Sequence, residues 1–329
     1  MKLEPCVIDS HVHVGLDYAN YLENSHPYAM SFEDLAERME HHGVGRSMVF
    51  PFGSSYHLPA GEVPAALRSR YPYEKENLLL LREIYEIYPE QGKRAFPFAM
   101  FDPSVRAEEQ VAGLEALCGQ YRLYGLKTCS TYLQAFLKDL HGKGRPILDF
   151  AARRQLPVVF HVSYDPGDPW APLADALDVV EANPGLRFCL AHTARFSTAA
   201  FERAQTLPNC FIDFSAFKIH CDLAVANYHG IPPPAERLDV DYANPQAALR
   251  QIAERFPYKM LWGTDAPYYS FIKKYTDVHG VVTDVALRSS YGAECALLNA
   301  LPRALVRKIA FDNTVRFLFG DGSGKNRDT

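Results

Sequence analysis

One feature narrows the fold more than any other. Short apolar, β-branched or aromatic runs alternate along the chain with stretches of helical periodicity. Eight such runs occur in order: 6–14 (CVIDSHVHV), 46–52 (RSMVFPF), 94–101 (RAFPFAMF), 123–129 (LYGLKTC), 156–162 (LPVVFHV), 186–193 (LRFCLAHT), 209–217 (NCFIDFSAF) and 259–265 (KMLWGTD). The stretches between them carry helix punctuation. SFEDLAERMEHHG opens on Ser31 as an N-cap, puts acids in its first turn and stops at Gly43. YEKENLLLLREIYEIYPE repeats apolar residues three and four apart and ends before Pro89. RAEEQVAGLEALCGQY, RPILDFAARRQ, APLADALDVVEANPG, TAAFERAQT and NPQAALRQIAERFP follow the same logic, and Ala286 to Phe319 predicts two further helices meeting at Leu301 and Pro302.

Strands alternating with helices imply a parallel sheet with right-handed crossovers. Eight units in 329 residues predict an α/β fold of the (β/α)₈ TIM-barrel type. It would carry long loops at the C-terminal face of the strands and extra C-terminal helices. An open doubly wound sheet is the rival, but no GxGxxG follows the first run. With no break in composition, residues 1–320 are expected to form a single domain, and the polar tail 321–329 to fray.

The barrel supplies a test for polar residues, because its chemistry sits where strands end. His11 and His13 share one face of the first run, since alternate residues of an extended chain point the same way. Among 12 histidines, chance alone would place roughly 0.4 such pairs, so the pair needs support from elsewhere. That support comes from His161 ending the fifth run, His192 ending the sixth and Asp265 ending the eighth. All five fall on one rim although they lie far apart in sequence. Imidazole nitrogen and carboxylate oxygen suit a divalent ion such as Zn²⁺, and an aspartate beside metal and water can accept and return a proton. Arg195 could clamp a carboxylate through its planar fork, or lie exposed. Lys127, at the end of the fourth run, could reach solvent or bind a substrate carboxylate.

The motifs DSHVHVG, FHVS, LAHTA and WGTDAPY, with the closing IAFDNTVRFLFG that contains Asn313, resemble the amidohydrolase-related branch of the metal-dependent amidohydrolase superfamily. The likeness runs from Val7 to about Gly320. It implies that His11, His13, His161 and Asp265 hold one divalent metal ion, with Asp265 and His192 as the catalytic pair. His192 would polarise water or substrate in a mononuclear site and ligate in a binuclear one. Lys127 lies near the place where binuclear members carry a carbamylated lysine, which leaves a second metal open. Arg195 follows His192 where the branch more often has a small residue.

The expected activity is hydrolysis of a small, carboxylated ester, lactone or amide by metal-activated water, with Lys127 and Arg195 binding substrate. A decarboxylase or hydratase on the same scaffold is the alternative, and a non-catalytic metal-binding barrel the third reading. The net charge of −5 offers no basic field for nucleic acid. No apolar run approaches the roughly 20 residues of a membrane span, no signal-peptide pattern appears, and seven cysteines without CxxC spacing point to the cytoplasm. The long connections 53–73, 218–242 and 266–284 would serve as lids or as contacts of a homo-oligomer. His57, His220, His229 and His279 sit within them without an assigned role, and His41 and His42 suit a helix C-terminus.

Overall fold

The computed structural model describes residues 3–58, 61, 64, 68–276 and 282–321. Its strands are β1 (Val7–Leu16), β2 (Ala29–Met30), β3 (Val44–Pro51), β4 (Ala95–Met100), β5 (Gly125–Thr128), β6 (Val158–Phe160), β7 (Phe188–Leu190), β8 (Cys210–Asp213), β9 (Met260–Leu261), β10 (Phe271–Thr276) and β11 (Val282–Leu287). Nine of them form one sheet in the order β2-β1-β3-β4-β5-β6-β7-β8-β9. Every neighbouring pair from β1 and β3 through β8 and β9 is parallel; only the short β2 runs antiparallel, against the end of β1. Each of the eight apolar runs thus holds one parallel strand.

The parallel sheet curls until the chain beyond β9 returns to β1. There Ser10 donates to the Trp262 carbonyl at 2.9 Å, Asp265 to that of His11 at 2.8 Å and His13 to that of Ala266 at 2.7 Å. A single parallel bridge, Val12 with Ala266, accompanies them. No regular ladder closes this seam among the described residues, so the sheet is a curled, barrel-like one.

Burial on both faces explains the near-continuous apolar strands. Phe96, Phe98 and Met100 of β4 join Ile8, Met48, Phe50 and Phe211 in a cluster inside the curl. Phe317 of the closing helix Asn313–Phe319 plugs that interior, its ring 5.5 Å from Phe211 and 6.5 Å from Phe98. Close packing also dictates Gly125, where a Cβ would stand 2.0 Å from a Phe98 ring carbon. The alternate strand residues pack outward against the helices. Asn313 ties the closing helix to the sheet by donating to the carbonyls of Pro257 and Met260, each at 2.8 Å.

The expected punctuation is met in the helix Phe32–His41, where Ser31 and Asp34 form a reciprocal capping box. Gly43, just past its end, has φ 69°. The last two expected helices part at Pro302, but the first begins at Tyr291 and not Ala286, because Ala286 and Leu287 belong to β11. Two loop expectations change as well. The connection 266–284 contains the antiparallel pair β10–β11, whose backbone groups satisfy one another. The seventh strand ends at Asp213, and Phe217–Val225 is a helix that takes His220 out of the supposed loop. His279 and most of the tail, 322–329, lie outside the described residues.

Candidate active site

β1 delivers two imidazoles whose orientation is fixed from behind. His11 Nδ1 donates to Asp213 Oδ2 at 2.8 Å, and His13 Nδ1 donates to the Pro51 carbonyl at 3.0 Å. Those partners only accept, so each Nδ1 carries the hydrogen and each Nε2 keeps a lone pair. Burial, with Lys127 nearby, pushes His11 down to about 4 and holds it neutral at neutral pH. Burial, and then the neighbouring His11, lower His13 well below its ordinary value as well.

Asp265 comes to the same spot from the seam. Its backbone is left-handed, φ 61°, an uncommon conformation for a residue with a Cβ, and is held by the hydrogen bond to His11. Its Oδ1 lies 3.4 Å from His11 Nε2 and 3.9 Å from His13 Nε2. One ligand atom from each of these three buried residues falls within 4.8 Å of the other two. Burial raises the Asp265 carboxyl well above the usual range, against the pull of Lys127. Beneath them Asp9 accepts from the Thr264 amide at 2.9 Å and the Thr264 hydroxyl at 2.7 Å, which pins β1 to the approach of Asp265. Lys127, 1% exposed, does not reach solvent. Its Nζ stands 2.9 Å from His11 Nε2 and 5.1 Å from the centre of the Phe50 ring, and burial lowers its pKa.

The other side of the rim is organised differently. Ser215 Oγ donates to Asp213, so it accepts from His192 Nδ1 at 2.9 Å. His192 Nε2 then accepts from His161 Nδ1 at 2.9 Å, and His161 Nε2 accepts from Arg195 Nη2 at 3.0 Å. Arg195 also donates through Nε to the Val162 carbonyl at 2.8 Å and through Nη1 to His220 Nε2 at 2.6 Å. His220 donates its remaining hydrogen to the Ala216 carbonyl at 2.8 Å, and burial together with Arg195 takes it down to about 3. A run of left-handed residues, His192 to Phe196 with φ between 42° and 63°, sets His192 and Arg195 toward one space. His161 therefore stands beside the His11–His13–Asp265 group with both ring nitrogens engaged, and His192 Nδ1 lies 3.6 Å from Asp265 Oδ2.

All seven residues singled out in the sequence line one cleft. Phe52, Met100, Tyr132, Ile219, Tyr268 and Phe271 give it apolar and aromatic walls.

The amidohydrolase family profile matches residues 73–320, most of the chain and most of the rim. The chain belongs to the amidohydrolase family. It is accordingly a hydrolase-type enzyme with a small-molecule substrate, from a family that generally uses divalent metals. Solved structures share its fold. Dihydroorotase from Saccharomyces cerevisiae, in complex with 5-fluoroorotic acid, is 15% identical, with TM-score 0.58 over 97% of this chain and 85% of that one. An amidohydrolase from Burkholderia multivorans with bound HEPES is 16% identical, with TM-score 0.57 over 95% and 99%. Amidohydrolase 2 from Bifidobacterium longum subsp. infantis is 16% identical, with TM-score 0.53 over 96% and 99%. No curated protein matches the sequence. Among the described residues of this amidohydrolase, no helix is long and apolar enough to cross a membrane.

Two residues that organise the hydrogen bonding of the rim escaped the sequence reading. Asp213 holds His11, the His192 amide at 3.0 Å and Ser215 on a single carboxylate. Despite its burial, the His11 ring, Lys127 and Ser215 bring Asp213 down to about 2. Its signal was masked, because Asp213 ends β8 but falls in the middle of the run 209–217, whose apolar pattern continues through Phe214, Ala216 and Phe217. His220 offered no such signal, because only the helix Phe217–Val225 turns it toward Arg195.

Proposed function

We propose that this amidohydrolase is a metal-dependent hydrolase of a small, carboxylated ester, lactone or amide. The observation that carries the reading is the convergence of His11, His13 and Asp265 with both imidazole tautomers already set to turn an Nε2 lone pair inward, that of His11 accepting from Lys127 Nζ at 2.9 Å. His161 would join them by releasing one of its two present partners. Two imidazoles and a carboxylate in a buried pocket fit a divalent ion, and their mixed nitrogen and oxygen donors favour Zn²⁺. When bound, the ion would supply Lewis acidity that makes water nucleophilic near neutral pH. Asp265 would take the water's proton and return it to the leaving group. His192, next to Asp265, would polarise the substrate carbonyl once its Nδ1 hydrogen is released from Ser215. Arg195 spends three of its N–H groups on Val162, His220 and His161, which leaves two for a substrate carboxylate. Lys127 adds a second positive charge to the same cleft; carbamylated, it would instead hold a second ion.

We further read the curled sheet as a (β/α)₈ barrel within one domain, 1–320. The seven free cysteines support a reducing compartment, which we propose to be the cytoplasm, and the net charge of −5 argues against a nucleic-acid partner.

The test combines metal analysis with turnover on ester, lactone, amide and carboxylic-acid panels. One ion per chain and hydrolysis that stops on chelation and returns with Zn²⁺ are the expected results. Full turnover in metal-free protein, or release of CO₂ in place of hydrolysis, would overturn the reading.

A further inference from the structure

Arg195 follows β7, and across the curled sheet, where Asp17 follows β1 and Gly53 follows β3, the cleft wall contains three phenols whose hydrogen bonding is unequal. Asp17 is fully buried and accepts from Asn20 through its amide at 3.1 Å and its side-chain nitrogen at 2.7 Å. The same carboxylate accepts from Tyr132 at 3.0 Å and from Tyr268 in a very short contact. Both phenols line the cleft. Each has committed its one hydrogen to Asp17, so toward the cleft each offers only oxygen lone pairs. Burial and Asp17 keep both protonated.

Tyr73 is the exception. It lines the same cleft, is 0% exposed, and its hydroxyl has no hydrogen-bond partner. A buried hydroxyl left unpaired carries a cost that a bound group would remove. Its backbone is also left-handed, φ 61°, and held by the Ser54 hydroxyl, which accepts from the Tyr73 amide at 2.9 Å. The corner is shaped to bring Tyr132 close, because a Cβ on Gly53 would stand 2.2 Å from the Tyr132 hydroxyl.

We propose that Tyr73, Tyr132 and Tyr268 form a subsite for a neutral hydroxyl group of the substrate, at the end away from its carboxylate. A hydroxyl can accept from Tyr73 and donate to an oxygen of Tyr132 or Tyr268. A second carboxylate would meet two lone-pair surfaces backed by Asp17 and is disfavoured there. The proposal rests on the reading of Arg195 as the carboxylate partner, and it narrows the substrate class to hydroxy acids and their esters, lactones or amides.

Calorimetric binding to the metal-replete protein separates the two ends. The probes are the straight-chain acids from butanoate to octanoate, their ω-hydroxy counterparts and the matching dicarboxylates. The ω-hydroxy acid of best-fitting length should bind about tenfold more tightly than its plain acid, and the dicarboxylate should gain nothing. Tyr73→Phe should erase the hydroxyl advantage while leaving the plain acid's affinity unchanged. Gly53→Ala, which displaces the Tyr132 phenol, should reduce the advantage as well. Equal affinity of plain and hydroxy acids, preference for the dicarboxylate, or an advantage that survives both Tyr73→Phe and Tyr132→Phe would overturn the subsite. Plain-acid binding that persists undiminished in Arg195→Gln would instead sink the carboxylate reading of Arg195, and with it the polarity of the cleft on which this subsite depends. If no acid binds, both readings fall.

Discussion

The two sides of the rim carry the same kinds of residue and use them in opposite ways. Beside β1 and β9, His11 and His13 each spend one nitrogen on a fixed acceptor and turn the lone pair of the other toward Asp265, where that of His11 also meets Lys127 Nζ. Beside β6 and β7, His161 and His192 spend their nitrogens on each other, on Ser215 and on Arg195. An imidazole held from behind is a ready ligand, since its tautomer and angle are set before any ion arrives. Imidazoles bonded into a chain that ends on a guanidinium have both nitrogens committed, so the open donors of this wall are the two remaining N–H groups of Arg195, and such a cationic wall suits an anion. Asp213 belongs to both sides, because it anchors His11 directly and His192 through Ser215.

Substitutions can break that contrast. The largest effect is expected from Asp265→Asn, which keeps the shape but removes the proposed proton acceptor. Turnover should fall by about 10³–10⁴-fold with the fold intact, measured as kcat on an ester substrate beside a circular-dichroism spectrum. A rate like that of the parent protein would remove Asp265 from its role. Next, Asp213→Asn takes the charged acceptor from His11 while barely changing volume. Metal affinity should drop about 10–100-fold in chelator competition, with a parallel loss of activity. An unchanged affinity would mean that His11 does not depend on its buried partner, and the distinction between the two sides would blur. The smallest of the three effects is expected from Arg195→Gln. Its KM for a carboxylated ester should rise about tenfold, whereas metal content and kcat on an uncharged ester should stay near those of the parent. A loss of metal in this variant would show the cation wall to be part of the metal side.

Much of the fold was legible in the sequence because parallel strands buried on both faces must be nearly all apolar. The run AFPFAM is β4 with every residue buried, and no helix periodicity competes with it. Helix boundaries followed from residues that satisfy their own ends, as Ser31 does with Asp34. The β10–β11 pair was missed because its strands follow a cluster of turn-forming residues and alternate only weakly. Its stability comes from cross-strand pairing, which a local pattern does not display. In the site, the residues that end strands were legible apart from Asp213, because sequence position along a strand is also position on the rim. Tyr73, Tyr132 and His220 were not, since they reach the cleft from loops and short helices whose directions depend on packing, nor was Asp17 behind the phenols.

The sequence by itself determined which residues stand at the rim: two histidines ending one run, and a histidine, another histidine and an aspartate ending three others. Alternation along a strand and burial across it are local properties, so they can be read from neighbours in the chain. Only the tertiary structure decided what each of those residues does with its hydrogen-bonding atoms. That depends on Asp213 reaching His11 across 202 positions and on the Pro51 carbonyl reaching His13 across 38. A ring nitrogen is free or engaged according to what stands behind it, and in this protein that partner comes from another strand.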